Sequence, residues 1–375
     1  MSYNLDTNRK DIIMPKSGSS RVILGLSGGV DSAVAAALLK DAGFEVIARY
    51  IKGYALPGIE CPEEQDMRDA RLIALKLGID FSVVSEGSEL YRRSVYEPFL
   101  ASYFSGKTPN PDIWCNQFVK FPLLGQLKEE YGADFIATGH YIRRIGDRFY
   151  AASDTNKDQS YFLYAVPRDI LKTCLFPIGE LAKNRVREMA RSLALPIADK
   201  RGTRGVCMVG QLPIDEALEW AAEERNEKFG PARAILIDKG QEVELGTLPA
   251  SKFFSATIGQ RSGLGISHRF PIYVVAKDPK VMNLYFKILP EGERKFSVSD
   301  VNWVVPEVPK LPQRALVKIR TPGKMLSCKV TESDNQMLEV ILDDPDTGIA
   351  PGQSAVFYQL AKGGLIELWG GGVIQ

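Results

Sequence analysis

The sequence predicts an α/β protein: a Rossmann-like parallel sheet, then a small mixed central domain, then a C-terminal β-barrel. Three observations carry that expectation. Strand-like and helix-like runs alternate through the first half of the chain, and a glycine-rich turn joins the first strand directly to the first helix. Beyond residue 210 the alternation gives way to short strands punctuated by Pro, Gly and Asp.

RVILGL (21–26) is a β-branched and leucine-rich run ending at glycines, and SAVAAALLKDAG after it reads as a helix closed by Gly43. FEVIARYI (44–51) is the next strand, and EEQDMRDARLIALKLG (63–78) is a helix with Gly78 just past its end. DFSVVS begins a third strand, while YGADFIATGH (131–140) supplies a helix end, a strand and a polar turn. Parallel strands of this kind place a ligand beyond their carboxyl ends. A helical segment (214–228) then precedes short strands in PARAILIDK, QEVELGTL and KFFSATIGQ. ALVKIRT, LSCKVTES, MLEVILDD and SAVFYQL read as barrel strands, with KGGLIELWGGGVIQ closing the chain. The expected boundaries are a disordered lead-in at 1–20, a nucleotide-binding catalytic domain at 21–210, a central α+β domain at 211–290 and the barrel at 291–375.

Composition narrows the classes. Of 375 residues, 45% are hydrophobic and 25% charged, the balance of an ordinary globular protein. No run of 18 apolar residues exists, so no membrane association is expected. The polar N-terminus lacks the apolar core of a secretory signal, which points to the cytoplasm. Five scattered cysteines, no CxxC and two histidines argue against both a disulfide framework and a structural zinc site, and no metal ligands are assigned to the chain. The net charge is +1, but Lys183–Arg204 holds seven basic residues (Lys183, Arg185, Arg187, Arg191, Lys200, Arg201, Arg204) against Glu188 and Asp199. Such a stripe suits phosphate contacts or, equally, a solvated helix face.

The turn Gly25-Leu26-Ser27-Gly28-Gly29-Val30-Asp31-Ser32 is the first string with chemistry in it. Its glycines let the backbone approach an anion, and the following helix aims N–H groups and a positive dipole end at it. It is neither a Walker A loop nor GxGxxG. A second string, Thr108-Pro109-Asn110-Pro111-Asp112-Ile113-Trp114-Cys115-Asn116, holds Asp112 and Cys115 three residues apart in a loop whose prolines should exclude regular helix or strand. A reactive thiol needs a lowered pKa and exposure. Asp112 cannot lower it, so its carboxyl suits general acid/base work. Cys207, between Gly205 and Gly210 and beside the basic stripe, is either a stabilised thiolate or a buried strand residue. Cys61, Cys174 and Cys328 lack such settings and read as structural.

SGGVDS resembles the signature of the PP-loop ATP pyrophosphatases. Together with TPNPDIWCNQFVKF, TGHY (138–141), KDQSYFL (157–163), FPIGELAKNRVREMA (176–190), GVCMVG (205–210) and TIGQRSGLGI (257–266), it makes the chain similar to the tRNA-specific 2-thiouridylase family from residue 21 to the C-terminus. The resemblance implies that ATP binds at Gly25, Leu26, Ser27, Gly28, Gly29, Val30, Asp31 and Ser32, with Ile51 and Gly139 near the adenine and ribose and Mg²⁺ on the phosphates. It implies a flipped wobble uridine held at Asn110, Pro111 and Asp112, and an adenylated O2. Cys207 would carry a persulfide from a sulfur-relay protein or cysteine desulfurase. Cys115 would release that sulfur, leaving a Cys115–Cys207 disulfide, with Asp112 as acid/base. Lys157, Asp158, Gln159 and Arg320 would contact the tRNA. Departures are Ile51 for methionine, Gly202-Thr203-Arg204 before the GVCM string, a shorter segment after Lys52 and no histidine before TIGQR. Two alternatives stay open: another PP-loop ligase or amidotransferase acting on a small molecule, and a non-catalytic tRNA-binding paralogue.

Overall fold

The computed structural model describes residues 20–54, 63–200, 212–333 and 337–375. The expected lead-in up to residue 19, Cys61, Cys207 and the whole GVCMVG block lie outside the described residues.

The parallel sheet is built first. Its strands are β1 (Arg21–Gly25), β2 (Glu45–Ile51), β3 (Asp80–Val84), β4 (Phe135–Thr138) and, after the hairpin β5 (Ile142–Ile145) and β6 (Arg148–Ala151), the short β7 (Cys174–Leu175). Their order is β3-β2-β1-β4-β7, all parallel. The chain leaves β1 for β2 on one side and returns to β4 on the other, so a crevice opens at the carboxyl ends of β1 and β4. Helix α1 (Val30–Asp41) is buried nearly all round, from Val30 to Leu39, which accounts for its run of alanines. It is packed between the sheet and α8 (Lys183–Ser192), whose Val186, Met189 and Ala190 face inward. α2 (Glu63–Leu77) ends at Gly78, which takes φ +60° as a cap glycine does.

Between β3 and β4 lie α3 (Glu86–Tyr91), α4 (Glu97–Phe104), α5 (Pro111–Trp114) and α6 (Phe121–Glu130), with π-helical turns at Arg92–Tyr96 and Cys115–Lys120. α7 (Arg168–Leu171) leads into β7. The central region holds α9 (Ile214–Glu224), β8 (Ala232–Asp238), β9 (Gln241–Leu248), α10 (Ala250–Ser255), β10 (Tyr273–Asp278) and β11 (Asn283–Lys287), with sheet order β10-β11-β8-β9. KFFSATIGQ, expected as a strand, begins inside α10 and continues as a turn. Phe253 and Phe254 are adjacent and both buried, which a helix turned into the core allows and a strand with one wet face does not.

The barrel comprises β12 (Glu293–Trp303), β13 (Gln313–Lys318), β14 (Leu326–Glu332), β15 (Leu338–Asp346), β16 (Ser354–Leu360) and β17 (Ile366–Ile374), antiparallel and closed by β12 against β17. The parallel sheet and the barrel agree with the class read from sequence. The hairpin β5–β6 was not anticipated: it leaves the parallel sheet and joins the barrel through Tyr150 opposite Glu367, reinforced by Arg148 on Glu367 at 2.6 Å. Among the described residues no helix is long and apolar enough to cross a membrane.

Candidate active site

The glycine-rich turn is fixed by its own side chains. Ser32 Oγ accepts from the Ser27 N–H at 3.2 Å, lies 3.1 Å from Ser27 Oγ and donates to the Gly29 carbonyl at 3.1 Å. Gly28 takes φ +73°, and a Cβ there would stand 2.1 Å from the Asp66 carbonyl oxygen, so both conformation and space demand glycine. Gly29 sits at the N-cap with no side-chain cap, which leaves the first N–H groups of α1 to a ligand or water. Asp31, in the first turn, receives Tyr141 Oη at 2.8 Å and Lys183 Nζ at 2.5 and 2.6 Å. Lys200 Nζ ties the turn to α2, donating to the Gly28 carbonyl at 3.2 Å, to Asp66 at 2.6 Å and to Asp69.

Residues 138–141 form the next layer. A Cβ on Gly139 would stand 2.6 Å from the Ser32 backbone nitrogen, so β4 ends hard against the start of α1. The Thr138 hydroxyl and His140 Nδ1 share a 2.8 Å hydrogen bond, and the imidazole stacks on Phe121 at 5.7 Å. Burial pushes His140 well below its ordinary pKa, aided by the Lys120 charge, so the ring is neutral at pH 7. The Tyr141 N–H donates to Gln159 Oε1 at 2.9 Å, which aims the phenol at Asp31.

Phe121 opens α6, and the turn before it carries the thiol. The prolines were expected to exclude helix here; instead Pro111 starts α5, with Asn110 as N-cap accepting from the Ile113 N–H at 3.4 Å. Proline is at home in the first helical turn, where no N–H is needed. The π-helical turn Cys115–Lys120 follows, held by Asn116 Nδ2 on the Phe162 carbonyl at 3.1 Å and Lys120 Nζ on Asn116 Oδ1 at 3.0 Å. Burial raises the pKa of half-buried Asp112, opposed by Lys120. Burial also pushes the Cys115 thiol up; Lys120 pulls it down and Asp112 adds to the rise. Thr108, just upstream, is docked on the barrel: its N–H donates to the Pro351 carbonyl at 3.1 Å and its carbonyl accepts from Gln353 at 2.8 Å.

The expected site residues therefore fall into three groups. Gly25–Ser32 and Gly139 meet at the start of α1, and residues 138–141 join that turn to Phe121, which directly follows the Cys115–Lys120 turn. Ile51 ends β2 and packs against Gly87. The expected tRNA contacts are dispersed. Asp158 accepts from the Ala152 and Ser160 N–H groups at 3.0 and 3.2 Å, and Gln159 serves Tyr141, so both side chains point inward while Lys157 is exposed. Arg320 borders a cavity of about 400 Å³ between Thr108, Ile258, Gly348 and Gln353, where the barrel meets the other two regions. Lys120 and Tyr141 were overlooked although both lie inside the quoted strings; nothing local marks them, because their partners are distant. Cys174 and Cys328 are buried, with Cys328 pushed up to about 12 by that burial, as expected for structural cysteines.

Comparisons with known proteins agree with this layout. Residues 20–211 match the family model described as the tRNA methyl transferase HUP domain, and residues 293–374 the aminomethyltransferase beta-barrel domain. The tRNA-specific 2-thiouridylase MnmA of Shigella boydii is 38% identical over 368 residues, covering 93% of this chain and 97% of that protein. Its Yersinia pestis counterpart is 38% identical over 380 residues, covering 96% and 98%. The chain belongs to the tRNA-specific 2-thiouridylase family. Among solved structures, NMN synthetase from Francisella tularensis overlaps 57% of this chain and 80% of its own at 21% identity and a TM-score of 0.35, a likeness on which nothing further rests.

Proposed function

We propose that the protein is an ATP-dependent tRNA-uridine 2-sulfurtransferase acting on a wobble uridine in the cytoplasm. One observation carries the reading. The short turn 138–141 packs against the phosphate loop through Gly139 and Tyr141, and against the thiol turn through His140 on Phe121. A nucleotide at the start of α1 and a uracil at Asp112 and Cys115 would then be neighbours, which is what transfer of AMP to the base requires.

The chemistry proceeds in two stages. Uridine O2 attacks the α-phosphorus of ATP, the bond to the β-phosphate breaks, and pyrophosphate leaves. This converts a poor leaving group into AMP. A persulfide on Cys207, charged by a relay protein or cysteine desulfurase, attacks C2 through its outer sulfur and expels AMP. The Cys115 thiolate then attacks the Cys207 sulfur, releasing 2-thiouridine and leaving a Cys115–Cys207 disulfide for an external thiol to reduce. Asp112, its pKa raised by burial, can hold or pass a proton at the base. Asp31, whose carboxylate accepts from Lys183 and Tyr141, is the residue that would hold Mg²⁺ accompanying the nucleotide. Bound there, it would neutralise phosphate charge.

The test is reconstitution with unmodified tRNA, Mg²⁺, ATP and a cysteine desulfurase with cysteine as persulfide donor, followed by nuclease digestion and mass spectrometry. We expect 2-thiouridine with wild type and none with Ser27→Ala. tRNA binding with no product and no pyrophosphate release would support the non-catalytic paralogue instead. ATP turnover without tRNA binding would favour the small-molecule ligase.

A further inference from the structure

Of the basic stripe read from sequence as a phosphate footprint or a solvated helix face, Arg201 and Arg204 lie outside the described residues, and four of the other five cations are paired within the protein. Lys183 grips Asp31, Arg185 pairs with Glu188 at 3.2 Å, Arg191 with Asp199 at 2.9 Å, and Lys200 with Asp66 and Asp69. Arg187 breaks the pattern. It is half-buried, its Nε is buried without a hydrogen-bond partner, and no carboxylate pairs with it among the described residues. A guanidinium taken partly out of water with no partner is costly, and such a group is retained where an anion completes it.

Its position says which anion. Arg187 lies one helical turn beyond Lys183 on α8, hence on the same face. Its positive charge acts on the Tyr141 phenol, and that phenol donates to Asp31 in the first turn of α1. Two cations of α8 thus converge on the phosphate-loop end of the crevice. Arg187's Nε is enclosed, which suits a small polyphosphate better than a bulky nucleic-acid backbone.

We propose that Arg187 binds the β,γ-phosphates of ATP and holds the pyrophosphate as it leaves. This rests on the ATP-dependent reading above. When uridine O2 bonds to the α-phosphorus, the electron pair of the breaking P–O bond stays on pyrophosphate, and the guanidinium fork meets that charge with two parallel N–H groups.

The experiment compares wild type, Arg187→Gln and Arg187→Lys in the full chain. Calorimetry would use a non-hydrolysable ATP analogue, AMP and inorganic pyrophosphate, alongside tRNA binding over a salt series. Arg187→Gln should weaken the analogue and pyrophosphate roughly 10- to 100-fold and leave AMP within about twofold. Its tRNA affinity and salt slope should match wild type, which also shows that the variant is folded. Arg187→Lys should recover part of the loss. An unchanged analogue affinity would overturn the assignment. So would a tRNA salt slope shallower by about one, the mark of a lost backbone contact. A wild-type chain that binds neither analogue nor pyrophosphate sinks the ATP-dependent reading and this assignment together; one that binds both but ignores Arg187→Gln sinks the assignment alone.

Discussion

The phosphate loop and the thiol turn sit either side of residues 138–141, and they are built in opposite ways. In the loop, Ser27, Ser32 and Asp31 have their partners in place, and glycine is enforced by direct contact. In the thiol turn, Asp112 and Cys115 are pushed by burial toward their neutral forms, with Lys120 as the opposing charge. A preorganised cradle costs no rearrangement when charge develops on phosphate. On the proposed mechanism, a Cys115 held protonated would be inert until its surroundings change, which would protect it until a charged partner arrives. The contrast implies that nucleotide binding and sulfur release can be damaged separately.

The largest separation should come from Cys115→Ser, which ought to lower 2-thiouridine formation by about 10³-fold or more. Its affinity for an ATP analogue should match wild type. A parallel loss of nucleotide affinity would show that the two regions are one unit. Gly139→Ala attacks the junction itself, since its Cβ would stand 2.6 Å from the Ser32 nitrogen. We expect a destabilisation of about 1–3 kcal/mol by thermal melting, with weakened nucleotide binding as α1 shifts.

The pH dependence sharpens the comparison further. Because burial raises the Cys115 pKa, its thiolate fraction grows as pH climbs through and beyond the ordinary thiol range. Single-turnover sulfur release should therefore keep rising above pH 9, whereas analogue binding should not follow it. Lys120→Met removes the charge that lowers this pKa and should move the profile to higher pH; Asp112→Asn should move it lower. A flat profile would assign the slow step elsewhere. The smallest effect is expected from Tyr141→Phe, which loses a single hydrogen bond to Asp31. It should weaken the ATP analogue roughly 3- to 10-fold and leave the sulfur-release profile unchanged.

Much of this was legible from sequence because the relevant interactions are short in range. Ser27, Gly29 and Ser32 act on one another within five residues, and β1–α1 is a strand–turn–helix readable from period and glycine placement. The barrel strands could be read for the same reason, since alternation and turn residues are local. Pro111 misled because its effect depends on position: it breaks a helix interior but starts a helix at Asn110.

What the tertiary structure alone decided are the pairings across long separations. Lys183 reaches Asp31 over 152 residues and Lys200 reaches Asp66 over 134, so two cations of a stripe read as a phosphate footprint or a solvated face are internal tethers, and Arg187 has no paired carboxylate among the described residues. Gln159 and Asp158, read from sequence as tRNA contacts, also support Tyr141 and the β6 turn, a role only the fold shows. A sequence states which side chains can ionise or donate. Which of them meet depends on how the sheet, α8 and the barrel are stacked, and that is set by burial of apolar surface spread over the whole chain rather than by the residues that react.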